Sequence, residues 1–162
     1  MREISELSEM LKARRLKIAV AESCTGGHIS DVFTDIPGAS GFFVLGMVAY
    51  TKEAKERILG VAQHTIEKYG VVSREVCAEM CVNVKVLANA DIGIATTGYA
   101  SPGKNVRQED VGKVFVGFCW EPQVPPVIFE LKLQGTREEI KSQVAMFVIK
   151  KLSELLGRRL ST

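Results

Sequence analysis

The chain has 162 residues, 46% of them hydrophobic and 25% charged, with a formal net charge of +2. This is the composition of one globular domain with one sizeable core, and it excludes an intrinsically disordered chain. The small net charge offers no electrostatic footprint for nucleic acid or an anionic membrane, and no apolar run reaches the length of a membrane span.

In chain order, the N-terminal MREISELSEMLKARR carries charges throughout and has no apolar h-region, so no secretory signal is expected and the chain reads as cytoplasmic. Ile4, Leu7, Met10 and Leu11 recur at helical spacing and predict an amphipathic helix over residues 2–15. Residues 18–21 (IAVA) are a continuous apolar run, the pattern of a strand covered on both faces. Gly26 and Gly27 then punctuate the chain, with a helix expected over 27–34 and a loop at Pro37-Gly38. Residues 42–50 (FFVLGMVAY) predict a second strand. Helices follow at 52–59, stopped by Gly60, and at 65–69, stopped by Gly70. Ser73 is a favourable N-cap with Glu75 in the first turn, and Val76, Met80, Val84 and Leu87 mark one face of the helix behind it. Residues 91–96 (DIGIAT) predict a third strand ending at Thr97-Gly98, and 101–110 form the longest loop. A fourth strand is expected at 113–120. In a fifth, at 127–133, Val127, Phe129, Leu131 and Leu133 alternate with Glu130 and Lys132, so one face is wetter. Thr136 and Glu139 form a capping-box pattern before a long helix bearing Ile140, Val144, Phe147, Val148, Leu152 and Leu155.

Alternating strands and helices predict a three-layer α/β/α sandwich on a five-stranded sheet. The link between 113–120 and 127–133 is too short for a crossover helix, so that pair should be antiparallel and the sheet mixed, though mostly parallel. No repeat, low-complexity tract or linker divides residues 1–162, which read as a single domain. In such sheets ligands gather beyond the carboxyl ends of the strands, where segments 22–27, 50–55 and 97–103 should meet. Cys24, Cys77, Cys81 and Cys119 include no C-x-x-C pair, and neither His28 nor His64 neighbours Cys77 and Cys81. Buried, reduced thiols are expected rather than a metal site or a disulfide framework.

The segment ESCTGG (22–27) puts an acid, three side-chain nucleophiles and two glycines at a strand-to-helix turn. Glycines admit close backbone approach, and the first amides of a helix can hold a phosphate or an oxyanion. Ser23 can attack a carbonyl if a base removes its proton. The purely structural alternative is a turn in which Ser23 or Thr25 caps the helix. In YTKEAK (50–55), Lys55 lies near a helix start after a buried strand. Burial or the helix's positive end would lower its pKa into the range of a base, with Tyr50 orienting it or donating to a developing negative charge. A surface lysine and a snorkelling tyrosine are the plain alternative. The stretch TTGYASPG (96–103) again brings hydroxyls and glycines to a strand end, as an ordinary turn also would. Arg137, at a helix start beside Gly135, is a phosphate-binding candidate or a solvated cation. His28 is a second candidate base, and Trp120 reads as packing.

Together these segments resemble the CinA C-terminal domain family, which includes bacterial nicotinamide mononucleotide deamidases. The resemblance rests on AESCTGG (21–27), TDIPGAS (34–40), GMVAYTKEAKERILGV (46–61), YGVVSREV (69–76), IGIATTG (92–98) and VGKVFVGF (111–118), in this order over nearly the whole chain. It implies the same three-layer sandwich and an amidohydrolase that converts nicotinamide mononucleotide to nicotinate mononucleotide and ammonia, with no metal or organic cofactor. It implies Ser23 as nucleophile, Lys55 as base and Tyr50 beside them. Backbone amides near Thr25, Gly26 and Gly27 would meet the oxyanion, Thr97 and Gly98 would line the substrate site, and Arg137 would hold the 5′-phosphate. The implied partner is a small-molecule nucleotide, not nucleic acid or membrane. Association into homo-oligomers stays open, with Phe42-Phe43 or Trp120 as interface candidates.

The chain also departs from the family pattern. After the third strand the family reads like G-I-A-G-P-G-G, whereas residues 98–112 are GYASPGKNVRQEDVG. Gly135-Thr136-Arg137 stands where the family often has G-D-R. The longer members' N-terminal domain has no counterpart here, so none of its activity is expected. Loop 98–112 should shape substrate choice. It keeps two other readings open: a catalytically silent nucleotide-binding homologue, and a hydrolase of another nucleotide or amide.

Overall fold

The computed structural model describes residues 2–158. Met1 and residues 159–162, which the expected single domain included, lie outside the described residues. Five strands, β1 (Ile18–Glu22), β2 (Phe43–Val48), β3 (Ile92–Gly98), β4 (Lys113–Cys119) and β5 (Val127–Lys132), form one sheet in the order β2-β1-β3-β4-β5. β1 pairs in parallel with both β2 and β3, and β4 pairs antiparallel with both β3 and β5. Four strands therefore share one direction and β4 alone opposes them. Helices α1 (Arg2–Ala13), α2 (His28–Thr34) and α6 (Arg137–Arg158) cover one face. Helices α3 (Lys52–Arg57), α4 (Gln63–Tyr69) and α5 (Arg74–Ala88) cover the other. This is the three-layer sandwich with a mixed sheet that the sequence predicts. No helix of the described residues is long and apolar enough to cross a membrane.

The central strands explain the layering. Every residue of β1 is buried, as a strand covered on both faces requires. Alternation sorts large side chains to one side: Ile18, Val20, Ile92 and Ile94 face the core under α1, α2 and α6. Ala19, Ala21 and Ala95 face α5. Small residues let α5 approach closely. A Cβ at Gly93 would lie 2.2 Å from the Cys81 carbonyl oxygen, and one at Gly117 3.1 Å from Cys77 Sγ. The thiols then bond helix to sheet: Cys77 Sγ donates to Ala95 O at 3.6 Å, Cys81 Sγ to Gly93 O at 3.1 Å, and Cys119 Sγ to Cys81 O at 3.2 Å. Burial pushes the Cys77 and Cys81 thiols well above their ordinary value, so these are packing groups and not nucleophiles.

Two expectations change. Leu87 is 56% exposed, because the buried face of α5 is centred on Val76, Cys77, Met80, Cys81 and Val84. Phe42 is fully buried with its ring 6.2 Å from that of Phe33, and so is unavailable as an interface residue. The capping box forms as expected, with Thr136 N donating to Glu139 Oε2 at 2.7 Å and Glu139 N to Thr136 Oγ1 at 3.2 Å. Gly93→Ala should lower stability by about 2 kcal/mol or more, because the carbonyl it meets is backbone and cannot swing away. Gly157→Ala in α6, where among the described residues nothing beyond the helix's own backbone and the adjoining residues lies within 4 Å of the added carbon, should leave the denaturation midpoint unchanged or slightly raised.

Candidate active site

Parallel pairing brings the carboxyl ends of β1 and β2 side by side. Glu22 stands opposite Val48, and Ala49 N donates to Glu22 O at 2.8 Å. Ser23, leaving β1, thus lies beside Ala49 and Tyr50, leaving β2. Thr51 caps α3, its hydroxyl accepting from Ala54 N at 3.1 Å. Lys55, one turn further, is only 2% exposed. Its Nζ donates to Ser23 Oγ at 2.7 Å, to Ala49 O at 2.9 Å and to Tyr50 O at 3.1 Å. No carboxylate pairs with it among the described residues. Burial therefore pushes the Lys55 pKa down from 10.5 to about 8, against a smaller opposing effect of Cys24. In the neutral amine, the two carbonyls take both N–H groups and the lone pair faces the Ser23 hydroxyl. That is the geometry of a base poised on a nucleophile.

The turn after Ser23 is held by Glu22. Its carboxylate is fully buried and points away from Lys55 into the start of α2. Gly27 N and Ile29 N each donate to Oε2 at 3.1 Å, while Ser30 N and Ser30 Oγ donate to Oε1 at 2.8 and 2.6 Å. Gly26 (φ +58°) and Gly27 (φ +98°) bend the chain through the left-handed region to allow this. The anion at this helix start is thus the protein's own, and the Gly27 amide is not free for a ligand, contrary to expectation. Gly26 N donates to Ser23 O and His28 N to Thr25 O, each at 3.1 Å. Neither Ser23 nor Thr25 caps α2: the N-cap is Gly27, and Thr25 Oγ1 shares a 2.9 Å hydrogen bond with Thr96 Oγ1. Among the described residues, the amides of Cys24 and Thr25 take no part in the hydrogen bonds that close this turn.

The third strand end completes a cleft of about 310 Å³ lined by Ser23, Lys55, Tyr50, Thr97, Gly98 and Arg137, with Val71, Val72 and Val106 as an apolar wall. Thr97 Oγ1 donates to Val71 O at 2.8 Å, which ties β3 to that wall. Gly98 is required by packing, since a Cβ there would lie 2.6 Å from Lys113 O. Arg137 reaches across from α6: Nη1 donates to Tyr50 Oη at 3.3 Å and Nη2 to Ser101 Oγ. Tyr50 therefore orients Lys55 through its backbone carbonyl, while its 55% exposed side chain braces Arg137. His28 is half-buried and lines a different cleft, with Arg137 and Lys141.

Residues 2–156 match the family model of the CinA C-terminal domain. The chain belongs to the CinA C-terminal domain family. It is 44% identical over 141 residues to a protein of Thermoanaerobacter sp. (strain X514) named as competence-damage inducible, covering 87% of this chain and 34% of that one. It is 38% identical over 149 residues to a CinA-like protein of Fusobacterium nucleatum, covering 92% and 36%. The chain thus spans about a third of the length of the curated relatives it matches. Among solved structures, a CinA superfamily protein of Klebsiella pneumoniae superposes with a TM-score of 0.91 at 28% identity, covering 97% of both chains. One from Escherichia coli gives 0.87 at 32% identity, covering 94% and 88%.

In this CinA-family chain the divergent loop contributes directly to the cleft: Tyr99, Ser101, Pro102, Gly103 and Val106 all line it. Two contributors escaped the sequence reading. The Ala49 carbonyl carries no residue-type signal at all. Glu22 reads as an acid near a nucleophile, whereas its role is internal.

Two outcomes test this geometry. Glu22→Ala leaves three amides of the turn without their acceptor and should cost about 2–4 kcal/mol in denaturant unfolding. For Lys55, the native pKa lies below the unfolded one, so between pH 8 and 10.5 the unfolded chain binds more protons. Wild type should therefore gain about 3 kcal/mol relative to Lys55→Met as pH rises through that window, read from paired melting curves.

Proposed function

We propose that this chain is an amidohydrolase that converts nicotinamide mononucleotide to nicotinate mononucleotide and ammonia by a Ser/Lys mechanism. The observation that carries the reading is the 2.7 Å contact between the buried Lys55 amine, its pKa lowered to about 8, and Ser23 Oγ at the floor of an open cleft. Neutral Lys55 accepts the Ser23 proton as Oγ attacks the carboxamide carbon. The negative charge that develops on the amide oxygen is met by the amides of Cys24 and Thr25, the two left over when Glu22 organises the rest of the turn. The resulting lysine ammonium returns its proton to the departing ammonia. A water, deprotonated by the same amine, then hydrolyses the acyl-enzyme and releases the carboxylate. Tyr50 and Ala49 hold the amine in line through their carbonyls, and Arg137 supplies positive charge at the far side of the cleft.

Ammonia release from nicotinamide mononucleotide tests this. Ser23→Ala and Lys55→Ala should each lower kcat by about 10³-fold or more, and the double variant should be little worse than either, because the two groups act as one unit. The kcat/KM of wild type should rise with pH and level off above about 8, where Lys55 is neutral. Undiminished release from Ser23→Ala would exclude the nucleophile. Binding of nicotinamide mononucleotide by wild type without release would point instead to a silent nucleotide-binding homologue.

A further inference from the structure

The ladder between β1 and β3 stops short of Ser23. Its last register pair is Ala21 with Ala95, and Ser23 lies two residues further on. Residues 23–27 therefore need another tie to β3. Among the described residues, the hydrogen bond that supplies it is the 2.9 Å contact between Thr25 Oγ1 and Thr96 Oγ1. Both threonines are fully buried. Thr96 follows Ile92 and Ile94 on one face of β3, and its antiparallel neighbour is Val116. Valine has the shape of threonine and would suit that apolar face, so a hydroxyl is tolerated there only with a partner.

Thr25 is held at two of its three polar groups. Its hydroxyl is bonded to Thr96, and its carbonyl accepts from His28 N at 3.1 Å. With side chain and carbonyl both pinned, the direction of the Thr25 N–H is set. That amide is one of the two assigned above to the developing oxyanion. Thr97 lines the cleft, whereas Thr96, its neighbour, does not.

We propose that Thr96 is a positioning residue for the oxyanion site: through its hydroxyl bond to Thr25 it holds the Cys24 and Thr25 amides in the direction that the tetrahedral oxyanion requires. The proposal rests on the amidohydrolase reading for the reaction it serves. Donors stabilise such an oxygen only when they are aimed before the charge develops. A rotation of residue 25 therefore costs transition-state stabilisation more than substrate binding, and the loss falls on kcat.

The test compares wild type, Thr96→Val, Thr96→Ser and the double variant Thr25→Val/Thr96→Val, each assayed for ammonia release from nicotinamide mononucleotide and for melting temperature. Thr96→Val should lower kcat about tenfold to 100-fold, with KM within about twofold of wild type. Its kcat/KM should still level off above about 8 as pH rises, because Lys55 is untouched. Thr96→Ser keeps the hydroxyl and should restore most of kcat. The double variant separates positioning from stability. One valine leaves a buried hydroxyl without its partner and should lower the melting temperature, whereas two valines remove both polar groups and should recover most of that loss. Its kcat should nevertheless stay low. A kcat within about threefold of wild type in Thr96→Val overturns the proposal, as does a kcat that recovers with the melting temperature in the double variant.

Binding of 3-pyridineboronic acid is measured in parallel. Its boron becomes a tetrahedral anion on bonding to Ser23 Oγ, the hydroxyl proton passing to Lys55. Affinity should fall about tenfold in Thr96→Val and return in Thr96→Ser. If wild type releases no ammonia, the amidohydrolase reading falls and this binding decides. An adduct weakened in Thr96→Val upholds the positioning role, and an adduct that Thr96→Val leaves unchanged, or no adduct with wild type, overturns it.

Discussion

An amine buried without an anion is the constraint around which the site is organised. Taking a lysine ammonium out of water is costly, and a nearby carboxylate would normally offset the cost. Here the acceptors of Lys55 are a hydroxyl and two backbone carbonyls. These satisfy the nitrogen geometrically while adding no full negative charge, so desolvation wins and the neutral form becomes accessible near pH 8. Glu22, the one fully buried acid among the described residues, would undo this if it faced Lys55. Its four hydrogen bonds to the start of α2 point it the other way.

That division of charge depends on the sheet. Because β1 and β2 are parallel, both chains emerge at the same edge, with Glu22 and Val48 in register. The chain leaving β1 carries Ser23 and the chain leaving β2 carries the carbonyls that hold the Lys55 amine. Tight packing of α5 on Ala19, Ala21, Gly93 and Ala95 supports the strands from beneath. The cysteines of that layer fit because a thiol is small, apolar and still able to donate to a carbonyl at close range. β3 then adds the third strand end, and α6 swings Arg137 over it from the opposite layer.

Much of this was legible in the residues. The strands, the antiparallel β4–β5 pair, the capping box at Thr136 and the three segments around the cleft all follow from local pattern. Other features had no local signal. Tyr50 acts on Lys55 through a carbonyl, and any residue could supply one. Cys77 and Cys81 lie on the buried face of α5, displacing Leu87 outward, because the opposing sheet is lined by small residues that accept sulfur but leave no room for more bulk. Nor does local pattern show that Glu22, five residues earlier, occupies the Gly27 amide.

Local pattern alone specifies the class of fold and places hydroxyl, amine and glycine groups at the strand ends. Hydrophobic period, glycine placement and capping patterns act within a few residues and survive without tertiary context. Only the tertiary structure decided that Ser23 and Lys55, 32 residues apart, stand 2.7 Å from each other. It also decided that the Glu22 carboxylate turns into the start of α2 and that Arg137 reaches Tyr50 and Ser101 across the cleft. Those facts depend on strand register, on the direction of individual carbonyls and on the docking of α6. None of these is encoded in the identity of the residues concerned.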